Sequence, residues 1–430
     1  MSAWWLHLRN SPIRLALPVL IVLDLAVLFL RNRHWIGVWP ETGAAAQVPA
    51  YLLGVVGAGA AAWAASAPAR QGLREQLSSA RVRPTRAEAH QLGATLTIIL
   101  IPYLLGQAVA FAMTARTFPP GVHLWLGYLV LGLFVLLMSV AMGWLCGKLF
   151  APVFAALTAA LGFLLLIGLL DASAEFVVAS GRPDVVVDPL SLAWRLAAIL
   201  VLLLVMLWLP GSGAPRQYRR RSLVLVPVVM PLLAGLVLTD AVAARQPPGD
   251  RATCIEGATT ICVWPEHEKY LPQLGEVSAR IDLLPDAIVP PPRINEIGLE
   301  QTPYSGGGEP PISEGDSAPT FFIAEGSPWS YASTISIAIA ASTFAYQDVE
   351  ECNWRQLTPR DRHRLGAVEA WLETYLADQD TPDYQTNAPA EIQAAWTAGR
   401  EVAGWDSLAD QFEWAEAEVH ELRGRYCSER

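Results

Sequence analysis

His267 and Glu268 open the stretch HEKYL, half of the H-E-x-x-H pattern in which two imidazoles one helical turn apart hold zinc and a glutamate activates its water. The second ligand position is Leu271, so one imidazole stands where two are required, and no metal site is expected. The stretch GWLCGKL, from Gly143, sets Gly-Lys after a glycine but is one residue short of a phosphate-binding loop. It also lacks the Ser or Thr that would meet Mg²⁺. No G-x-S-x-G is present, and no spacing of Ser, His and Asp argues for a triad. The sequence therefore leads us to expect no catalytic residue, no metal and no cofactor.

Two other groups of residues carry a different chemistry. Cys254, Cys262, Cys352 and Cys427 are an even set confined to the C-terminal part, as in disulfide-bonded domains of an oxidising compartment, while Cys146 stands apart. Four cysteines allow three connectivities. We favour Cys254 with Cys262 and Cys352 with Cys427; the alternative is four buried thiols. The second group is one residue, Asp24, about two thirds of the way along an apolar run, where a carboxylate is costly. It either contributes to a substrate path or gate, or staples one helix to the next as a protonated or hydrogen-bonded acid.

These residues must be positioned by a mostly apolar chain. Of its 430 residues 53% are hydrophobic and only 16% charged, and mean hydropathy is positive. Seven runs have the length of a membrane-crossing helix: Ile13–Leu30, Val48–Ser66, Leu92–Ala115, Val122–Cys146, Leu149–Leu170, Leu190–Leu209 and Leu223–Ala244. The expected architecture is a multi-pass α-helical membrane bundle of seven transmembrane helices, residues 1–244, followed by an α+β extracytoplasmic domain, residues 245–430. Charge divides at the same place, +8 before and −18 after. So acidic a second half repels nucleic acid and anionic lipid surfaces.

Orientation follows from arginine in the short loops. Residues 67–91 hold Arg70, Arg74, Arg81, Arg83 and Arg86, and residues 210–222 hold Arg216, Arg219, Arg220 and Arg221, so both loops should be cytoplasmic. Residues 171–189 carry Asp171, Glu175, Asp184 and Asp188 against Arg182 alone and should face outward. The N-terminus is then cytoplasmic and the C-terminal domain extracytoplasmic; Arg31 and Arg33 run against this scheme. Arg195, near the outer start of the sixth run, is shallow enough to snorkel to headgroups. Gly54, Gly57, Ala58 and Ala61 have the small-residue spacing of closely packed helices.

In the second half, residues 251–267 read as a hairpin around Gly257, residues 269–284 as a helix and APTFFIAEG as a strand. Helices are expected from Pro359, capped by Thr358, and over 389–402 and 407–423. The uncharged stretch Ser327–Gln347 is long enough for an eighth span, but its Ser and Thr content favours a buried helix or strand pair.

The loop Leu73–His90 is more than a positive charge. Leu73 and Leu77 lie one helical turn apart with Arg74 and Glu75 between them, Pro84 breaks that turn, and Thr85 with Glu88 has the form of a capping box for the next helix. The stretch REQLSSARVRPTR, Arg74 to Arg86, resembles the cytoplasmic loop between spans two and three of ABC-2-type transporter membrane subunits. Glu75, Leu77, Ser78, Ser79, Pro84, Thr85 and Arg86 fall in matching order, with residues inserted ahead of Pro84. The resemblance covers about residues 1–215; the seventh span and the acidic domain are additions. It implies a bacterial cell-membrane protein acting as the non-catalytic transmembrane subunit of an ABC-type exporter. A separate ABC ATPase subunit would dock on Leu73, Arg74, Glu75, Leu77, Arg81, Arg83, Thr85, Arg86 and Glu88, and a second membrane subunit or a homodimer would complete the transporter. The alternative is a membrane-tethered extracytoplasmic binding or sensing protein with the bundle as anchor.

Overall fold

The computed structural model describes residues 3–30, 32–67, 84–174, 177–178, 181–208, 235, 239–299, 319–323, 326–345, 352–379 and 388–427. The chain divides into two compact units, residues 1–181 with 185–243, and residues 182–184 with 244–430.

The first unit is helical: α1 (Ala3–Asn10), a 3-10 turn (Pro12–Ala16), α2 (Leu17–Leu30), α3 (Trp39–Gln47), α4 (Pro49–Ala65), α5 (Pro84–Thr114), α6 (Val122–Leu149), α7 (Pro152–Ala174) and α8 (Pro189–Trp208). Two short strands, β1 (Val185–Val187) and β2 (Val242–Ala244), pair beside them. Among the described residues five helical segments are long and apolar enough to cross a membrane: Ile13–Leu30, Trp39–Ala65, Thr85–Thr114, Val122–Leu149 and Pro189–Trp208. Of the seven runs in the sequence, the fifth forms α7, whose described apolar part, Val153–Leu169, is shorter than these. The seventh, Leu223–Ala244, falls for the most part outside the described residues, and its last three residues form β2 where a helix was expected.

Helix α6 is apolar on every side and sits at the centre of this unit, packed against α3, α4, α7 and α8. Missing Cβ atoms bring α4 and α6 together: a Cβ on Gly143 would stand 2.1 Å from the Ala58 carbonyl, and one on Gly147 2.5 Å from that of Ala62. Helix α3 is an element the apolar pattern does not show. Pro40, Glu41, Thr42 and Gln47 make residues 39–47 look like a loop, yet the whole helix is buried. Its polar groups are satisfied inside: the Thr42 hydroxyl bonds the Trp35 and Val38 carbonyls and the Thr114 hydroxyl, and Gln47 Oε1 accepts from the Val178 amide.

The second unit is α+β. Strands β3 (Thr253–Ile255) and β4 (Thr260–Val263) form the hairpin, with Cys254 directly opposite Cys262. Helix α9 (Leu271–Ile281) follows, and the chain returns as β5 (Arg293–Glu296), parallel to β4, because a parallel neighbour requires such a crossover. Strand β6 (Thr320–Phe321) completes the order β3-β4-β5-β6. The helical end holds α10 (Pro328–Thr343), α11 (Pro359–Ala377), α12 (Ala390–Ala403) and α13 (Leu408–Tyr426). Helix α10 is the uncharged stretch. It buries Trp329, Ile335 and Ile339 and packs against α11 and β6, so in this structure it is a core helix of the second unit.

Candidate coupling site

The proposed ATPase-docking residues divide at Pro84. Leu73, Arg74, Glu75, Leu77, Arg81 and Arg83 lie outside the described residues. Thr85, Arg86 and Glu88 belong to the first turns of α5, with Thr85 and Arg86 exposed. The described helix already includes Pro84, two residues ahead of the Arg86 start that a cap at Thr85 would give. The Glu88 carboxylate, assigned to the capping box by its spacing, lies instead 2.6 Å from Lys148 Nζ. An ammonium only 5% exposed is the stronger attraction, since a charge-assisted pair out of water exceeds a bond to a helix-end amide.

That ion pair belongs to a wider tie. Lys148, on the last turn of α6, also donates to the Met206 carbonyl at 2.7 Å, near the end of α8. One turn beyond Glu88, Gln91 Nε2 donates to the Ala64 carbonyl at 2.7 Å, near the end of α4. Carbonyls in the last turn of a helix have no partner within it and so accept such donors readily. The start of α5 is thus bonded to the ends of α4 and α6 directly, and to α8 through Lys148. Helix α1 packs on the same region: Trp4 lies over Gly93, and burial together with the nearby His90 holds the His7 imidazole below its ordinary pKa.

The intramembrane residues behave differently from one another. Asp24 is buried against α5 at Gly106. Arg195 does not snorkel: it is fully buried, donates to the Thr239 carbonyl and lies over the Phe134 ring at 5.9 Å. Gly235 and Thr239 lie against α8, at Trp194 and at Arg195 itself, so the guanidinium meets a carbonyl within the protein. Asp188, counted from sequence only as a loop acid, caps α8 by accepting from the Ser191 amide at 3.0 Å.

In the second unit the structure joins Cys254 to Cys262 and Cys352 to Cys427, one of the three connectivities. His267 lies in a 3-10 turn, fully buried, with Nδ1 2.6 Å from Glu296 Oε1. The other Glu296 oxygen accepts from the Trp264 amide at 2.9 Å. This is a packing pair between β5 and the turn after β4. Among the described residues no three His, Cys, Asp or Glu side chains gather to hold a metal.

Sequence reading missed Lys148, Gln91, Gln107 and Glu296. Lys148 had a signal: it is one of two lysines in the chain and it ends an apolar run. Gln91 and Gln107 had none, because a lone amide in an apolar helix does not show which neighbour it meets. The chain matches no family model, no curated protein and no solved structure.

Proposed function

We propose that the chain is the non-catalytic transmembrane subunit of an ABC-type exporter or efflux system, driven by a separate ATPase that docks on residues 73–86. The observation that carries this reading is the tie at the start of α5. A docking loop can transmit work only if the helix it leads into is fastened to the rest of the bundle. Here Glu88 and Gln91, within two turns of the loop, reach the ends of α6 and α4, and Lys148 extends the tie to the end of α8. A push on residues 73–83 would then move α4, α5, α6 and α8 together. In this reading the arginine-rich loops face the cytoplasm and the disulfide-bonded second unit lies outside, where thiols oxidise.

The test is to solubilise the chain from its own membranes in mild detergent and purify it by a C-terminal tag. An ABC ATPase should accompany it, and Leu77→Asp should abolish that association while leaving insertion and orientation intact, because every arginine remains. If no ATPase accompanies the chain, or if Leu77→Asp retains it, the loop is an anchor. The second unit is then better read as a tethered receptor, with its two disulfides fitting a domain that works outside the cell.

A further inference from the structure

Asp24 is 1% exposed, and among the described residues neither of its carboxylate oxygens has a hydrogen-bond partner. It is pressed against α5 at Gly106, where a Cβ would stand 1.8 Å from Oδ2, so glycine is what admits the carboxylate. The next residue, Gln107, is also 1% exposed; its Nε2 donates to the Tyr103 hydroxyl at 3.0 Å while its Oε1 has no partner. The Tyr103 proton is spent in turn on the Leu129 carbonyl at 2.9 Å, and Tyr103 is near enough to Asp24 to act on it electrostatically. Among the described residues Asp24 on α2 and Gln107 on α5 thus leave three buried acceptor oxygens without partners, while the tyrosine donor between Gln107 and Leu129 is already committed.

Acceptors at this depth need a proton donor or a positive charge beside them, because hydrocarbon offers neither. One carboxylate balances one charge, and a site built from carboxylate and amide oxygen suits a hard ion. We propose that Asp24 and Gln107 form an intramembrane site for a single monovalent cation, a proton or sodium. The site does not depend on the ATPase reading. Besides Tyr103, the titratable or charged groups on elements packed against α2 are Arg14 in the 3-10 turn, Glu41 on α3, Tyr51 on α4, and Arg86, Glu88 and His90 on α5. His90 is 16 residues from Gly106, about 24 Å along the helix.

Dicyclohexylcarbodiimide, an apolar reagent, adds to a protonated carboxyl within a bilayer, and a sodium ion on the carboxylate blocks it. The wild-type chain in native membranes is treated with this reagent or with a water-soluble carbodiimide, and peptide mass spectrometry locates the adduct. We expect adduct on Asp24 from the apolar reagent alone and none there in Asp24→Asn. Slowing by rising pH alone identifies a proton site; slowing by sodium chloride at fixed pH, against a choline chloride control, identifies a sodium site. Gln107→Leu should shift the protecting pH by about one unit, or the protecting sodium concentration by about tenfold, as loss of a bond to a charged group would. No adduct on wild-type Asp24, equal reaction with the water-soluble reagent, a rate indifferent to both pH and sodium, or an unshifted Gln107→Leu would each overturn the site.

Discussion

Removing each disulfide separately should have unequal consequences, and the inequality can be worked from chain length. Cys352 and Cys427 are 75 residues apart in sequence and Cys254 and Cys262 are 8 apart. A cross-link stabilises chiefly by restricting the unfolded chain, more for a longer loop, and the chain-entropy relation gives about 4.5 kcal/mol for the first and about 2.5 kcal/mol for the second. The long loop contains α11, α12 and α13, and its closure sits beside a cluster in which Asp361 accepts from Thr358, Arg425 and Tyr426. Replacing Cys352 and Cys427 together by alanine should therefore loosen the whole helical end. Amide hydrogen exchange of α11 and α13 in the solubilised full-length chain reads this directly. Protection that reports unfolding of the unit should fall about a thousandfold, since each 1.4 kcal/mol is a factor of ten. Alanine at Cys254 and Cys262 should cost about fiftyfold in the same amides. Equal losses, or a larger loss from the short loop, would refute the chain-entropy reasoning and assign the effect to local packing.

The Glu88 and Lys148 pair should respond asymmetrically: Glu88→Gln leaves a buried ammonium without its carboxylate and should cost about 2–4 kcal/mol. Lys148→Met leaves a carboxylate that is partly exposed and should cost about 1 kcal/mol, both read from thermal unfolding of the solubilised chain. Gly143→Ala should destabilise by about 1–3 kcal/mol or more, because the new methyl meets the Ala58 backbone carbonyl and not a flexible side chain; a thermal midpoint unchanged from wild type would contradict the close approach of α4 and α6. The hydroxyls of Thr358 and Tyr426, then Arg425 and Arg364, hold the Asp361 carboxyl below its usual pKa, so its contribution is present above the unfolded value and is lost as pH falls through the folded one. Stability of the second unit should drop below about pH 4, and Asp361→Asn, about 1–2 kcal/mol weaker at neutral pH, should flatten that acid limb.

How far the sequence reveals this molecule differs between its two halves. In the second unit, turn chemistry and caps are local, so they can be read in order. Thr358 does accept from the Asp361 amide, and α12 and α13 start within a residue of their expected positions. In the first unit, the apolar runs locate helices, but uniform hydrophobicity hides which side faces a neighbour. Helix α3 escaped notice because Thr42 and Gln47 find partners only after the chain has folded. Glu88 was given to a capping box for the same reason. A spacing rule sees the residue three positions back and cannot see an ammonium 60 residues ahead. Asp24 was conspicuous as an acid in an apolar run, whereas its surroundings at Gly106 and Gln107 were not.

Docking of an ATPase on residues 73–86 would bring the two chains into contact, and contact can be read by cross-linking. A photo-crosslinking amino acid is placed at Leu77, with a second chain carrying it at Leu161, which is 51% exposed on α7. Both are irradiated in native membranes, and the cross-linked products are sequenced by mass spectrometry. An ABC ATPase should be joined at position 77 and absent at position 161. Cross-links from position 77 to lipid alone, or to this chain alone, would contradict it.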